Sequence, residues 1–253
     1  MACSDPALFD YALRLGDNCL VLGHRVSEWC GHSPVLEEDI ALANQALDLI
    51  GQTTLWLGLA GELEGEGRSA DDLAFLRDAR AFRNVLLVEQ PNGDFGQTLM
   101  RQFLFDAWHY FTLQHLAQVD ETRVAEIAGK AFKEVAYHLE RSTDMVIRLG
   151  DGTDESRRRM QEALDVLWRF TGEMFETDAT EQALIERAIA PDPAAIEAAW
   201  QRHVQAALEQ ATLELPGDTY MQKGGRTGMH SEHLGYILAE MQFLQRAYPG
   251  ARW

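Results

Sequence analysis

The chain is 253 residues long, and 40 acidic residues against 22 basic ones leave it with a net charge of −18. Such a body repels phosphate backbones, which argues against nucleic acid as a partner. At 46% apolar it is not a disordered chain, and its three cysteines (Cys3, Cys19, Cys30) are too few and too poorly spaced for a disulfide framework or a zinc cage.

The opening stretch MACSDPALFDYALRLGD has no basic segment followed by an apolar run, so no signal peptide is expected. No run of about 18 apolar residues predicts a membrane span, and the expected location is the cytoplasm. Prolines number seven, good helix formers abound, and alternating Val, Ile and Thr are nearly absent, so the predicted class is all-α. Asp5-Pro6 opens a helix over 6–30, in which Cys19, Trp29 and Cys30 read as core or interface residues. Ser33-Pro34 opens the next, over 34–60, with Glu37, Glu38 and Asp39 at its positive dipole end and Gly61, Gly65 and Gly67 after it. Ser69 and Asp72 form a capping-box pair that opens a helix over 70–84. After Pro91-Asn92-Gly93 come helices over 95–118 and 121–149. Gly150-Asp151-Gly152 stops the second, and a helix over 154–170 follows. Residues 171–191 are acidic and irregular, with one short helical turn at most. Asp192-Pro193 opens a helix over 193–212, Pro216-Gly217 follows it, and a last helix covers 231–247. No internal repeat or linker is visible, so residues 1–253 read as a single all-α domain: a four-helix bundle core with accessory helices.

The helices over 95–118 and 40–60 are apolar nearly all round and carry Trp108 and Trp56, which places them at the centre of a bundle. Polar residues on such helices need partners. Asn44, Asp48 and Gln52 recur every four residues on one helix; Asp106 and His109 are three apart on the next; Glu134 and His138 are four apart on the third, with Arg141 one turn on; Asp165 and Trp168 are three apart on the fourth. This approaches the plan of di-metal carboxylate bundles, in which two helices each give one Glu and two give Glu-x-x-His, because two irons need about four carboxylates and two imidazoles. The plan is incomplete. Trp168 stands where the second imidazole belongs, no histidine occurs between His138 and His203, and Asp replaces the longer Glu at positions 48, 106 and 165. Asp48, Asp106, His109, Glu134, His138, Asp165 and Trp168 therefore read as a vestigial metal site, knitted as a buried polar network or holding one weak metal. A rival reading is an independent ferritin-like metalloenzyme that uses Asp48, Asp106, His109, Glu134 and His138.

Lys223-Gly224-Gly225-Arg226 reads as a flexible basic loop, free in solvent or touching a phosphate or a partner's carboxylates. His230 and His233 flank Ser231 at a helix start and lack a third ligand for zinc. No Gly-rich phosphate loop follows a strand.

Seven stretches carry a resemblance that runs through nearly the whole chain: LRLGDNCLVLGHRVSEWCGH at 13–32, IALANQALDLIGQ at 40–52, NVLLVEQPNGDFGQT at 84–98, RQFLFDAWH at 101–109, KEVAYHLERS at 133–142, LWRFTGEMF at 167–175 and GMHSEHLGYILAEMQFLQRAYPG at 228–250. The chain resembles the C subunits of bacterial phenylacetyl-CoA epoxidases, multicomponent oxygenases of aerobic phenylacetate degradation. The resemblance implies a ferritin-like fold and a structural, non-catalytic role, with no catalytic residue, metal or cofactor on this chain. It implies a di-iron A subunit as partner, which does the chemistry on phenylacetyl-CoA. It also implies other epoxidase subunits, among them a reductase that passes electrons from NADPH through flavin and iron–sulfur groups. Substrate contact at the CoA entrance is implied for Ala81, Phe82, Arg83 and Asn84, and for Gln182, Ala183 and Leu184. A helical scaffold for an unrelated partner is the remaining alternative.

Overall fold

The computed structural model describes residues 3–251; residues 1–2 and 252–253 of the predicted span lie outside them. Every regular element among the described residues is helical, so the all-α expectation holds. The chain gathers into two compact units, one of residues 1–90 with 223–253, the other of residues 91–222.

The first unit begins with α1 (Pro6–Ser27) and α2 (Leu36–Glu64). Asp5 caps α1, its carboxylate accepting from Leu8 N at 3.2 Å, and Pro6 supplies the preset φ of a first turn. Two glycines seven residues apart let the helices close on each other. Gly16 faces Leu57 and Gly23 faces Ile50, so the helices run antiparallel; an added Cβ would lie 2.6 Å and 3.1 Å from those side chains. Helix α2 starts two residues later than Ser33-Pro34 predicts, with Val35 at its N-cap and no side-chain cap. The preceding residues are held in the turn instead, where the Asp39 carboxylate accepts from Gly31 N at 2.8 Å. At the other end Gly65 adopts φ 72° and returns its N–H to Gly61.

Helix α3 (Ala70–Phe75) has the expected capping box: Ser69 Oγ accepts from Asp72 N at 3.1 Å and the Asp72 carboxylate accepts from Ser69 N at 2.8 Å. The predicted helix to residue 84 stops here. Arg77 turns its side chain back onto the carbonyls of Leu73 and Ala81, and the chain folds into a 3-10 turn at Ala79–Ala81. Helix α4 (Leu86–Glu89) follows, too short to leave a periodic signal in sequence.

The second unit holds α5 (Phe95–Leu116), α6 (Thr122–Gly150), α7 (Asp154–Leu167), α8 (Ala179–Glu186) and α9 (Pro193–Gln210). Helix α5 is the hub, packed by α6, α7 and α9, as its all-round apolar sequence requires. Polar ends of two tryptophans tie this unit together: Trp200 Nε1 donates to Leu104 O at 2.8 Å and Trp108 Nε1 to Met174 O at 3.1 Å. Helix α7 ends three residues earlier than predicted and tightens into 3-10 turns at Trp168–Phe170 and Gly172–Phe175. The Thr171 hydroxyl donates to Trp168 O at 2.8 Å, and Gln222 N takes Arg169 O at 2.7 Å, a carbonyl that a continuing α-helix would have needed. Within 171–191 the two-turn α8 exceeds the single turn expected; Asp178 caps it by accepting from Glu181 N at 3.1 Å.

The chain then returns to the first unit with α10 (Glu232–Met241) and α11 (Phe243–Ala247). The predicted continuous helix breaks at Gln242, whose buried Nε2 donates to Ala74 O and Arg77 O, both at 3.0 Å. No helix among the described residues is long and apolar enough to cross a membrane.

Candidate functional site

In the second unit, α5 buries Asp106 and His109 and α6 buries His138. The ring of His109 packs against Phe105 at 5.2 Å between centroids and stacks with Trp108 at 6.2 Å. Burial, and then the nearby His138, push His109 down to about 3, so its imidazole is neutral at physiological pH and is no proton carrier there. Glu134 is half-buried.

Two further members of the predicted set in this unit, Asp165 and Trp168, are placed differently. Asp165 is exposed and accepts from Gln161 Nε2 at 3.0 Å. The buried face of α7 runs through Met160, Ala163, Leu164 and Leu167, and Asp165 lies about 100° away from Leu164 around the helix. Trp168 is half-buried in the following turn and packs on Trp200 with centroids 5.5 Å apart. In the first unit, Gln52 is buried, Asp48 half-buried and Asn44 exposed. Four-residue steps overshoot a full turn by about 40°, so this series winds from solvent to core instead of forming one inward stripe. Among the described residues no three His, Cys, Asp or Glu side chains converge as metal ligands. The residues present therefore do not fit a di-iron centre, which needs about six such donors.

The other predicted contacts lie in separate units. In the first, Phe82 and Asn84 are fully buried. The Arg77 guanidinium sits 4.3 Å over the Phe82 ring, and Asn84 Nδ2 donates to Glu89 Oε2 and to Val85 O, both at 3.1 Å. Ala81 and Arg83 are the half-buried members. Arg83 Nε reaches Asp10 at 3.3 Å, while its Nη1 donates to both Arg80 O and Phe82 O at 2.9 Å. In the second unit, α8 exposes Gln182, half-buries Ala183 and buries Leu184.

Segment 77–90 is held by residues whose pattern in the sequence does not single them out. Asp17, fully buried in α1, forms a two-pronged ion pair with Arg77 and accepts from Arg83 N at 2.8 Å. Asn18 beside it accepts from Val85 N at 2.8 Å. Glu89, also fully buried, accepts from Asn84 Nδ2 at 3.1 Å and from Ser231 N at 2.6 Å, and its carboxylate lies 2.9 Å from His230 Nδ1. His230 Nε2 faces Phe82 O at 3.1 Å, so the ring bridges the Glu89 carboxylate and the Phe82 carbonyl. His230 is thus a structural clamp, and Ser231 caps α10 by accepting from His233 N at 3.3 Å. Two adjacent polar residues inside the apolar α1, Asp17-Asn18, were the available signal.

The loop at 223–226 is not the free loop expected. Gly224, Gly225 and Arg226 are buried, and Gly225 lies so close to the 84–86 backbone that a Cβ would stand 2.2 Å from Asn84 O. Gly225→Ala should cost about 1–3 kcal/mol in urea unfolding by forcing two backbones apart; an unchanged midpoint would show slack in this contact. Of the cysteines, Cys19 is buried as expected. Cys30 is exposed, since α1 ends at Ser27 and leaves it in the turn beyond.

Residues 2–253 match the family described as phenylacetic acid catabolic protein. The chain is 52% identical over 243 residues to the C subunit of the 1,2-phenylacetyl-CoA epoxidase of Escherichia coli (strain K12); the match covers 96% of this chain and 98% of that protein.

Proposed function

This chain belongs to the phenylacetic acid catabolic protein family, whose fold is ferritin-like, and from that premise we propose that it is the structural, non-catalytic subunit of a phenylacetyl-CoA 1,2-epoxidase. In this reading it works in the cytoplasm, in aerobic phenylacetate degradation, and binds and stabilises a di-iron A subunit. That subunit's metal pair supplies oxygen activation for epoxidation of the aromatic ring, with electrons from NADPH delivered through the flavin and iron–sulfur groups of a reductase subunit. The chain itself holds no cofactor. The observation that carries the reading is the incomplete ligand set: Asp165 is exposed, Trp168 packs on Trp200 in the turn beyond α7, and among the described residues no three His, Cys, Asp or Glu side chains converge as metal ligands.

The same reading places the CoA end of the substrate along Ala81 and Arg83 and along Gln182 and Ala183. Phe82, Asn84 and Leu184, whose side chains are enclosed, serve their own segments as packing.

The test is reconstitution. The purified chain should carry no stoichiometric iron and turn over no phenylacetyl-CoA. Added to the di-iron subunit and reductase, it should restore NADPH- and O2-dependent epoxidation. Two irons per chain together with turnover by the chain and reductase alone would overturn the reading in favour of an independent metalloenzyme.

A further inference from the structure

Helix α2 carries a face that none of the described residues covers. Leu36 is 70% exposed, Ile40 53% and Leu47 69%. Gly51 and Thr54 are exposed and Gly58 half-exposed. At 100° per residue these six positions fall within about 60° of arc, and from Leu36 to Gly58 they extend for about 33 Å. None is charged. Three large aliphatic side chains aligned on one exposed face are a contiguous patch of the kind that marks a protein contact.

The glycines say what kind. Glycine in a helix interior is unfavourable relative to alanine and needs a reason. Gly16, Gly23 and Gly61 have one, since a Cβ on each would press on Leu57, Ile50 or the Arg68 carbonyl. Gly51 and Gly58 are also in α2, one heptad apart, and a Cβ on either would meet nothing within 4 Å. Gly129 in α6 and Gly235 in α10 are open in the same way, but among the described residues only Gly51 and Gly58 share a face with exposed aliphatic side chains one heptad apart. Glycines on a helix face permit another backbone to approach closely, and the three- and four-residue spacing along this face is that of a seam between two helices.

A second copy of the chain is a poor occupant. Glu37, Asp39 and Asp48 border the face on a body of net charge −18, and pairing two copies would set these borders against each other. The complementary occupant is an apolar helix bordered by Lys and Arg on a different subunit. We propose that the outer face of α2 seats one helix of the di-iron subunit, whose backbone crosses close over Gly51 and Gly58. This rests on the function proposed above and names the surface that serves it.

The decisive variants are Gly51→Leu with Gly58→Leu, and separately Leu47→Lys, each titrated against the purified di-iron subunit. The glycine replacements enter open space and are better helix formers, so the melting temperature of the isolated chain should hold or rise while the Kd for the di-iron subunit weakens by about tenfold or more. Leu47→Lys, at an exposed position, should also weaken binding by about tenfold or more with the melting temperature unchanged. Tyr137→Lys on the exposed side of α6 should bind as wild type. Wild-type Kd in both α2 variants overturns the proposal and leaves the proposed function standing, whereas a wild-type chain with no affinity for the di-iron subunit removes both. A dimer of the chain alone by light scattering, dissolved by the α2 variants, also overturns it, because the occupant would then be a second copy.

Discussion

Arg77→Ala should lower the unfolding free energy by about 3–5 kcal/mol, among the largest effects of any single replacement in this chain. The reason is Asp17, whose carboxylate is 0% exposed and would be left buried with its counter-charge gone. Arg77 also bridges three stretches of chain. Its guanidinium grips Asp17 on α1, donates to Ala81 O at 3.0 Å and covers the Phe82 ring, while its own carbonyl accepts from Gln242 and Arg246. Losing it should therefore loosen segment 77–85 more than the rest of the unit. Amide exchange at Arg83 and Val85, whose N–H groups donate to Asp17 and Asn18, should rise ahead of exchange in α2. The double replacement Asp17→Leu with Arg77→Met removes both charges and should recover much of the loss. A single-variant cost below about 1 kcal/mol would mean that water reaches Asp17 and that the pair does not hold the segment.

The second large effect is acid sensitivity arising from His109. The folded chain holds this imidazole neutral down to about pH 3, whereas an unfolded histidine protonates near 6.5. Between those values the unfolded state binds a proton that the folded state refuses. The contribution of His109 to stability is thus whole above pH 6.5 and shrinks as pH falls toward 3, by at most about 1.4 kcal/mol per pH unit. His24, His115 and His203 are lowered by burial as well and add to the slope in the same sense. His109→Leu should give a visibly flatter dependence in urea unfolding between pH 7 and pH 4. Parallel curves for the two proteins would show that His109 is hydrated or already charged in the fold.

Much of the architecture was legible because it rests on local chemistry. Asp5-Pro6, Ser69 with Asp72, and Asp192-Pro193 each cap the helix they predict. The all-round apolar α5 is the hub of its unit. What failed depended on contacts distant in sequence. Nothing near Gln242 says that its side chain will meet Ala74 and Arg77, yet that meeting splits the last helix. Nothing near Arg77 announces Asp17. Among the candidate site residues, spacing of three or four correctly put Asp106 and His109 inside together. The same rule misplaced Asp165, because membership of a face was judged from its neighbours at the chosen interval and not from the apolar stripe of α7 itself. Phe82 and Asn84 were named only through the resemblance, and their packing against Glu89 and His230, the latter 148 positions away from Phe82, leaves no local trace.

The Gln242 clamp has a bearing on how the protein is made. Its hydrogen bond to Ala74 spans 168 positions, and His230 and Ser231 reach Glu89 across 141 and 142. During synthesis the first 90 residues emerge long before the segment that completes their unit, whereas residues 91–222 are contiguous and can close as soon as they leave the ribosome. The amino-terminal helices must wait, with the carboxylate of Glu89 still wet, for the segment that carries His230 and Ser231 to follow.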